Sequence, residues 1–310
     1  MVEVLDLPVP ESGPGTVRLR VEAAAVNFPD VLLIANKYQV SVPPPFIPGS
    51  EFAGTVLEVA GDVTTISPGD RVFGTTMVGA FAEEVVAAAT SVTPIPDGIE
   101  ARYAAAFGVA HRTAYHVLRS VAAVRPGEEV VVLGAGGGVG LAAVRLGSVL
   151  GARVTAVASS REKLQVAAAE GATGLIDHKS GDLRQLLKEA LPSGADVVVD
   201  PVGGSLSEPA LRSLRWGGRF VTVGYAAGEV PRIPLNLVLL KGIHILGFEF
   251  RGFTTHAGAE MHRNDDELLE LLRSGQALPH IGASFGLDEA AAALRYVGDG
   301  KAIGKVVLEI

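Results

Sequence analysis

The first part of the chain alternates apolar and polar residues over short runs. In Thr16–Glu22 (TVRLRVE) every second residue is apolar and those between are polar or charged, which is typical of a strand with one buried face. Phe52–Val59 and Ala80–Val86 are further predicted strands, and turns rich in glycine and proline, such as Pro68–Arg71, separate them. This pattern predicts a small β-barrel-like domain.

From Ala101 onward the pattern becomes helical and then alternates. We predict an alanine-rich helix over Ala101–Leu118, followed by apolar strands at Val130–Leu133, Val154–Ala158, Gly174–Asp177, Ala195–Asp200, Arg219–Gly224 and His244–Phe248. Amphipathic helices fall between the strands, at Arg161–Glu170, Asp182–Ala190 and Ser205–Leu214. Apolar strands that alternate with helices are typical of a parallel, doubly wound sheet.

The two ends of the chain are predicted to meet in one domain. Helices at Asp265–Arg273 and Asp288–Val297 and a last strand at Lys305–Ile310 would return to the N-terminal strands. We therefore place a first domain at residues 1–110, completed by 251–310, and a second at 111–250. The cleft between two such domains is the expected ligand site.

A glycine-rich turn carries the strongest chemical signal. After Val130–Leu133 the chain reads Ala135-x-Gly137-x-x-Gly140, and a helix and a second strand follow. Gly137 and Gly138 would let the backbone approach a pyrophosphate, and Gly140 would let the helix pack closely on the strand. The helix N-terminus would offer unpaired N–H groups and a positive dipole end. The unit predicts dinucleotide binding; the alternative is a glycine turn without a ligand.

The end of the second strand discriminates between nicotinamide cofactors. NAD-binding units usually carry an acid there, which holds the ribose 2′-hydroxyl. This chain has Ser159-Ser160-Arg161 instead, with Lys163 two residues further on. Small hydroxyls and two cations suit a 2′-phosphate, so we expect NADP(H). The alternative is that Arg161 and Lys163 are solvated residues of the first helical turn.

Composition and charge narrow the function further. The formal net charge is −8 with no basic block, which argues against nucleic acid as a partner. The chain has no cysteine, which excludes disulfides, thiolate metal sites and a cysteine nucleophile. We find no signal peptide and no long uninterrupted apolar run. A soluble cytoplasmic protein that acts on a small molecule, with no membrane partner, is the expectation.

With these residues in hand, the chain resembles the zinc-free quinone oxidoreductases of the medium-chain dehydrogenase/reductase superfamily, the zeta-crystallin type. The resemblance rests on the glycine motif and on VNFPDVL (Val26–Leu32), IPGSEFAG (Ile47–Gly54), PGDRVFG (Pro68–Gly74), DPVGG (Asp200–Gly204), VGYAAGEVPRIPLN (Val223–Asn236) and GKVVL (Gly304–Leu308). It implies an α/β fold with a GroES-like β-barrel domain and a Rossmann-type doubly wound parallel sheet domain, usually as a homodimer.

The resemblance also implies the site residues. Those expected at the substrate are Asn27, Asp30 and Tyr38, of which Asn27 and Tyr38 are candidate donors to a product oxyanion. Those expected at the cofactor are Thr113, Gly224 and Tyr225 for the nicotinamide, Gly137, Gly138 and Val139 for the pyrophosphate, and Ser159, Lys163 and His178 for the 2′-phosphate.

Several of these residues also have a plain structural interpretation. Asn27 could cap a short helix in which Pro29 stands near the first position, and Asp30 could be a first-turn acid stabilised by the helix dipole. Tyr38 could pack and Tyr225 could be a loop aromatic. His178 stands where relatives often have Tyr; an imidazole still donates to phosphate, with a dependence on pH.

Two departures from relatives concern metal and length. Zinc-dependent members carry a Cys near the position of Asn27 and Gly-His-Glu where this chain has Gly49-Ser50-Glu51, so a metal-free enzyme is expected. The chain also begins late relative to the family, so we expect either that an edge strand is absent or that the start site is misassigned.

Three functions fit these observations. The leading one is an NADPH:quinone oxidoreductase, in which the nicotinamide supplies a hydride and the protein orients and dehydrates the pair. The second is an NADPH-dependent reductase of enones or enoyl thioesters. The third is an NADPH-binding protein without turnover.

Overall fold

The alternating runs of the first part of the chain form short strands. The computed structural model describes residues 2–310. Through Ala105 its elements are β1 (Thr16–Val26), α1 (Phe28–Ile34), β2 (Glu51–Val59), β3 (Arg71–Thr75), β4 (Glu84–Ala88), β5 (Val92–Pro94) and α2 (Ala101–Ala105). Along β1, Val17, Leu19 and Val21 are buried. Arg20 between them is exposed, as the predicted alternation requires.

Helices and parallel strands alternate in the middle of the chain. The elements are α3 (Gly108–His116), β6 (Glu129–Leu133), α4 (Gly138–Val149), β7 (Arg153–Ala158), α5 (Arg161–Ala169), β8 (Gly174–Asp177), α6 (Leu183–Ala190), β9 (Ala195–Asp200), α7 (Ser207–Arg212), β10 (Leu214–Thr222), α8 (Asn236–Lys241), β11 (His244–Gly247), α9 (Phe250–His256) and α10 (Gly258–Arg273). The chain ends with β12 (Ile281–Gly286), α11 (Ala290–Gly298) and β13 (Lys305–Glu309).

The described chain divides into two compact units. The first comprises the residues up to Val109 together with Leu278–Ile310. Its sheet has the strand order β12-β13-β1-β2-β3-β5, and β4 also pairs with β1. All of these pairs are antiparallel except β12 with β13. The core contains Phe52, Phe81 and Leu308, with α11 packed against it through Ala293 and Leu294.

The second unit, Ala110–Ala277, contains an all-parallel sheet. Its strand order is β11-β10-β9-β6-β7-β8. From β6 the chain proceeds through β7 and β8 toward one edge, and from β9 through β10 and β11 toward the other. The order therefore reverses between β6 and β9, which is where ligands bind in sheets of this kind. The central strand residues Val131 and Val198 are fully buried, because helices lie on both faces.

The structure differs from the predicted elements in several places, of which three bear on the domain organisation. The helix predicted over Ala101–Leu118 is two helices, α2 and α3, interrupted at Ala106–Phe107, where the Phe107 ring packs edge-on against Phe73. Strand β12 was not predicted. Residues 251–277, which we assigned to the first domain, lie in the second unit.

Ion pairs explain why α10 stays with the second unit. Asp265 accepts two hydrogen bonds from Arg112, at 2.8 and 2.7 Å. Glu267 accepts from the Tyr115 hydroxyl at 2.7 Å and from Arg119 at 2.9 Å. These charge-assisted bonds join α10 to α3 and to the π-helical turn Val117–Val121 that follows it. None of this pairing is visible in the periodicity of the sequence.

Among residues 2–310, no helix has both the length and the apolar character needed to cross a bilayer.

Candidate functional site

The glycine motif forms a tight turn at the carboxyl end of β6. Gly134 has a left-handed backbone, with φ of 60°, and its carbonyl oxygen accepts from the N–H of Gly137 at 2.9 Å. A Cβ on Gly140 would overlap that same carbonyl oxygen, so only glycine fits where α4 meets the turn. Gly137 occupies the N-cap position of α4, and glycine has no side chain that could cap the first N–H groups of the helix. Gly137, Gly138 and Val139 are partly exposed, so the first N–H groups of α4 can take an anion.

The turn lies beside the loop that follows β9, at the point where strand order reverses. A Cβ on Gly134 would stand 2.6 Å from Val202 Cγ2. The Asp200 carboxylate holds this loop: Oδ1 accepts from the N–H groups of Val202 and Gly203 at 2.9 and 2.8 Å, and Oδ2 accepts from the Ser207 hydroxyl at 2.6 Å. Asp200 is fully buried, so its role here is to shape the loop.

Hydroxyl and cationic groups gather beyond the ends of β7 and β8. Ser160 is the N-cap of α5, and its Oγ accepts from the Lys163 N–H at 3.3 Å. The Lys163 stem crosses the glycine turn, where a Cβ on Gly136 would be 2.6 Å from its Cγ. Partial burial, with Lys179 nearby, lowers the Lys163 pKa. Lys163 is therefore not a fully solvated first-turn residue, whereas Arg161 is exposed.

His178 completes this group on the β8 side. Desolvation is the main cause that lowers its pKa, with Lys179 and Lys163 acting in the same direction against Asp177. His178 and Lys163 therefore interact electrostatically with each other and with Lys179. Ser159 lies between the end of the neighbouring strand β7 and the start of α5. Burial and mutual repulsion disfavour the charged forms of His178 and Lys163, and an anionic ligand would relieve that cost.

The residues predicted at the nicotinamide lie on separate elements of the second unit. Thr113 is buried on α3. Gly224 and Tyr225 follow β10, where the Gly224 N–H contacts the Asp200 carbonyl at 3.4 Å. The Tyr225 side chain is 40% exposed, and a Cβ on Gly203 would stand 2.8 Å from its Cδ1. Tyr225 is therefore held beside the loop after β9, at the carboxyl edge of the sheet.

The first unit contains a buried polar cluster around Lys305. Its ammonium donates to Asn27 Oδ1 at 2.5 Å and to Glu51 Oε2 at 2.9 Å. Asn27 Nδ2 donates to Glu51 Oε2 at 2.9 Å and to the Ala25 carbonyl at 3.3 Å. Glu51 Oε1 accepts from the Val109 N–H at 2.7 Å. The lysine and the carboxylate fix the orientation of the Asn27 amide, and both of its hydrogens have acceptors.

Asp30 adjoins this cluster at the first turn of α1. Its Oδ2 accepts from the Asn27 N–H at 2.7 Å, as in a capping box, while no atom of residues 2–310 meets hydrogen-bond geometry at the buried Oδ1. Burial is the main cause that raises the Asp30 pKa to about 6, although the Ser50 hydroxyl and Lys305 oppose it. Tyr38, the third predicted substrate residue, is half-buried in the loop after α1.

Family models and a related protein identify the family of this chain. Residues 13–97 match the alcohol dehydrogenase GroES-like domain model, and residues 138–264 match the zinc-binding dehydrogenase model. The chain is 37% identical to a quinone oxidoreductase-like protein 2 homolog of Nematostella vectensis, over 96% of this chain and 82% of that protein. The chain belongs to the quinone oxidoreductase family of the medium-chain dehydrogenase/reductase superfamily. The predicted family and two-part fold are confirmed, and members of this superfamily are oxidoreductases.

Two further similarities bear on activity. The quinone oxidoreductase of Thermus thermophilus, solved also as its complex with NADPH, superposes with a TM-score of 0.87 at 35% identity, covering 99% of this chain and 96% of that one. A segment of the polyketide synthase GfsB of Streptomyces halstedii is 37% identical over 96% of this chain, which is 5% of that protein.

Zinc, which the second family model names, does not fit the residues of this chain. There is no cysteine, and no group of three His, Cys, Asp or Glu side chains within residues 2–310 could hold a metal ion. Where zinc-dependent relatives have their ligands, Asn27 and Glu51 surround the Lys305 ammonium, which repels a cation.

Sequence analysis missed Lys305 and Asp200. Lys305 opens a strand (KVVLE) in which three apolar residues follow it, and its first four residues are all buried, so a lysine next to that apolar run was a usable signal. Asp200 ends a strand that is buried along its whole length. In both cases the sequence shows a charged residue in a buried strand, but only the fold shows its partners.

Proposed function

We propose that this chain is an NADP(H)-dependent oxidoreductase that transfers a hydride to a quinone. The main supporting observation is the carboxyl edge of the second-unit sheet. There the glycine turn offers a site for a pyrophosphate, and the cluster of Ser159, Lys163 and His178 offers a site for a 2′-phosphate. The NADPH complex of the Thermus relative supports the choice of cofactor, and the names of the relatives support a quinone.

The cofactor residues take the roles implied by the family. Gly137, Gly138 and Val139 present backbone N–H groups to the pyrophosphate. Ser159, Lys163 and His178 hold the 2′-phosphate. Thr113, Gly224 and Tyr225 position the nicotinamide, which supplies the hydride when the cofactor is bound.

In the first unit we divide the substrate roles differently among the three predicted residues. Both amide hydrogens of Asn27 are already donated, so Asn27 serves as a positioning residue held by Lys305 and Glu51. Tyr38 becomes the candidate hydrogen-bond donor to the acceptor oxygen. Asp30 is the ionisable group of the set.

Two other activities remain as alternatives. Similarity to a polyketide synthase segment favours an enone or enoyl-thioester reductase as the second candidate. An NADPH-binding protein without turnover is the third. The cytoplasmic location expected from the sequence also stays a prediction, which fractionation of the source cells would test.

A second copy of the chain is the partner we propose. Strand β11 is an edge of the parallel sheet, with Ile245 41% exposed. Near it in sequence, Leu239 and Leu240 on α8 are 79% and 68% exposed. Trp216, 76% exposed, lies against Gly242 at the end of α8. Exposed apolar groups of this size beside an open strand edge are typical of a homodimer interface.

One assay tests the activity. Purified protein is given NADPH or NADH with a 1,2-quinone, a 1,4-quinone, a simple enone and an enoyl thioester, and the uncatalysed rate is subtracted. Quinone-dependent oxidation with NADPH preferred supports the proposal. Turnover with the enone or thioester alone supports the second candidate. Tight NADPH binding with no turnover on any acceptor supports the third.

A further inference from the structure

His116, on α3, is a buried histidine that the proposed function does not use. The side chain is fully buried, and the ring centres of Phe248, Phe250 and Phe253 lie 6.1, 5.9 and 4.8 Å from its own. Its Nδ1 lies 3.0 Å from Asn264 Nδ2 on α10. No atom in residues 2–310 meets hydrogen-bond geometry at its Nε2. The groups around these two nitrogens decide whether the ring is neutral or charged.

We propose that the side-chain amide of Asn264 is a proton-controlled switch. In its present orientation the amide keeps His116 neutral, and it turns over when His116 takes up a proton at Nδ1. In the second state His116 is a buried cation beside Asp265, and the Arg263 side chain is released from Asn264. All of these groups lie within the second unit, and the inference is independent of the reaction proposed above.

Arg263 fixes the direction in which the Asn264 amide faces. Its Nε and Nη2 donate to Asn264 Oδ1 at 3.2 and 2.9 Å. A guanidinium group has only donors, so the amide atom beside it must be the oxygen. The Nδ2 group of Asn264 therefore faces the other way, where it donates to Ser120 Oγ at 2.8 Å and to His116 Nδ1 at 3.0 Å.

This orientation of Asn264 excludes a proton from His116 Nδ1. Two N–H donors cannot share a contact of 3.0 Å, so Nδ1 is the acceptor and the neutral ring carries its hydrogen on Nε2. A proton on Nδ1 would set one donor against another. The amide thus opposes the charged ring in addition to burial, which is the main cause that lowers the His116 pKa to about 4.

The other groups around His116 suit a charged ring. Its Nε2 lies 3.6 Å from Asp265 Oδ1, and Asp265 raises the His116 pKa. Arg112, which donates to both oxygens of Asp265, lowers that pKa. These charged groups belong to α10 and α3, while the segment after β11 contributes phenyl rings, of which Phe250 and Phe253 lie near enough to attract a cation. The orientation of one amide therefore decides whether the cluster accepts a proton.

The second state satisfies the same groups in a different way. A proton from solvent forms the Nδ1–H bond of His116, and the turned Asn264 Oδ1 accepts from it. The Ser120 hydroxyl, which accepted from Nδ2, donates to Oδ1 instead, because a hydroxyl group does either. Asn264 Nδ2 now faces the Arg263 guanidinium, so Arg263 must leave. Its side chain is 44% exposed, and Glu267 Oε1 lies 3.9 Å away as a new partner.

The test follows the His116 ring of the folded protein by NMR over a range of pH. Nitrogen spectra report which ring nitrogen carries hydrogen, and the Asn264 side-chain N–H signals report the turn of the amide. Asn264→Leu removes the donor at similar volume and adds no charge, and Arg263→Met frees Asn264 Oδ1. The matched control is Arg119→Met, since Arg119 is similarly exposed, at 38%, but bonds to Glu267.

For the wild type we expect hydrogen on Nε2 at neutral pH. The Asn264 N–H signals should then move with the same midpoint as the His116 ring. Asn264→Leu and Arg263→Met should raise that midpoint by about one pH unit, a tenfold gain in proton affinity, because the hydrogen bond to the neutral ring is lost or weakened. Arg119→Met should move it by less than about 0.3 unit, since solvent screens an exposed charge.

Other results overturn the switch. Hydrogen on Nδ1 at neutral pH would mean that Asn264 already presents its oxygen to the ring. If Arg263→Met titrates at the wild-type midpoint, burial alone holds His116 neutral; this variant changes a partly exposed side chain, so it decides the point even where Asn264→Leu does not fold. If the wild type unfolds in acid before His116 titrates, or if the Asn264 signals stay fixed while it titrates, the second state does not exist.

Discussion

The Lys305 ammonium and the Glu51 carboxylate form an ion pair at 2.9 Å with side chains only 4% and 1% exposed. Asn27 bonds to both partners. The pair joins the last strand of the chain to β2, more than 250 residues earlier in sequence. Charges buried this deeply are tolerated because the two partners pair with each other and three further hydrogen bonds, two from Asn27 and Val109 to Glu51 and one from Lys305 to Asn27, satisfy them.

Breaking this pair should therefore destabilise the first unit. Lys305→Met leaves Glu51 buried without its cation, and we expect a loss of about 3–5 kcal/mol in the free energy of unfolding. The double variant Lys305→Met with Glu51→Gln should recover a large part of that loss. Urea unfolding of both single variants and the double variant measures the coupling; additive losses would contradict it.

Lys163 and Arg161 should differ in their effect on cofactor choice. Lys163 is partly buried with its stem on the glycine turn, whereas Arg161 is exposed. Lys163→Ala should weaken NADPH binding at least about tenfold and leave NADH binding nearly unchanged, since only NADPH carries the 2′-phosphate. Arg161→Ala should have the smaller effect. Fluorescence titration with both cofactors checks this, and equal losses for NADPH and NADH would rule out the assignment.

Gly140→Ala should distort the cofactor site although it removes no group that binds the cofactor. The added Cβ would overlap the Gly134 carbonyl oxygen, so the turn or the start of α4 must shift. We expect a loss of about 1–3 kcal/mol in stability and weak binding of both NADPH and NADH. Gly61→Ala is the matched control, because nothing lies within 4 Å of a Cβ there. Wild-type binding by Gly140→Ala would show that the close approach is not required.

His116 should make the second unit sensitive to acid. It is fully buried near the rings of Phe248, Phe250 and Phe253, and burial is the main cause that lowers its pKa to about 4. Asn264 Nδ2 donates to Nδ1 at 3.0 Å, so the neutral ring carries its proton on Nε2.

The unfolded chain binds this proton near pH 6.5 and the folded chain only near pH 4, so stability is lost as pH falls through that window. We expect the His116 share of that loss to reach about 2 kcal/mol between pH 6.5 and 5. Thermal unfolding of the wild type and of His116→Gln across this range gives the measurement. Parallel pH dependences for the two proteins would exclude His116 as the cause.

The proposed homodimer predicts a change in assembly without a change in fold. Leu239→Lys places a charge on the exposed apolar surface beside β11, where a second copy would bury it. We expect the variant to sediment as a monomer and the wild type as a dimer. Leu175→Lys, at another exposed apolar position on β8, is the control. A monomeric wild type would rule out the proposed interface.

The sequence alone determined the elements with strong local signals. Strands Gly174–Asp177 and Ala195–Asp200 were predicted with the bounds that the structure shows, because a short apolar run between turn residues favours a buried strand over a helix. Likewise, the spacing of Gly137 and Gly140 specified the turn before α4, since only glycine lets a helix start so close to a strand.

Tertiary structure decided what depends on distant partners. Residues 251–277 belong to the second unit because Asp265 and Glu267 form ion pairs with arginines. These are Arg112 on α3 and Arg119 just after it, well over a hundred residues away in sequence. Lys305 reached Asn27 and Glu51 only because β13 pairs with β1 and β1 with β2. Local propensity carries no information on such pairings; burial and the need to satisfy buried charges fix them once the chain has folded.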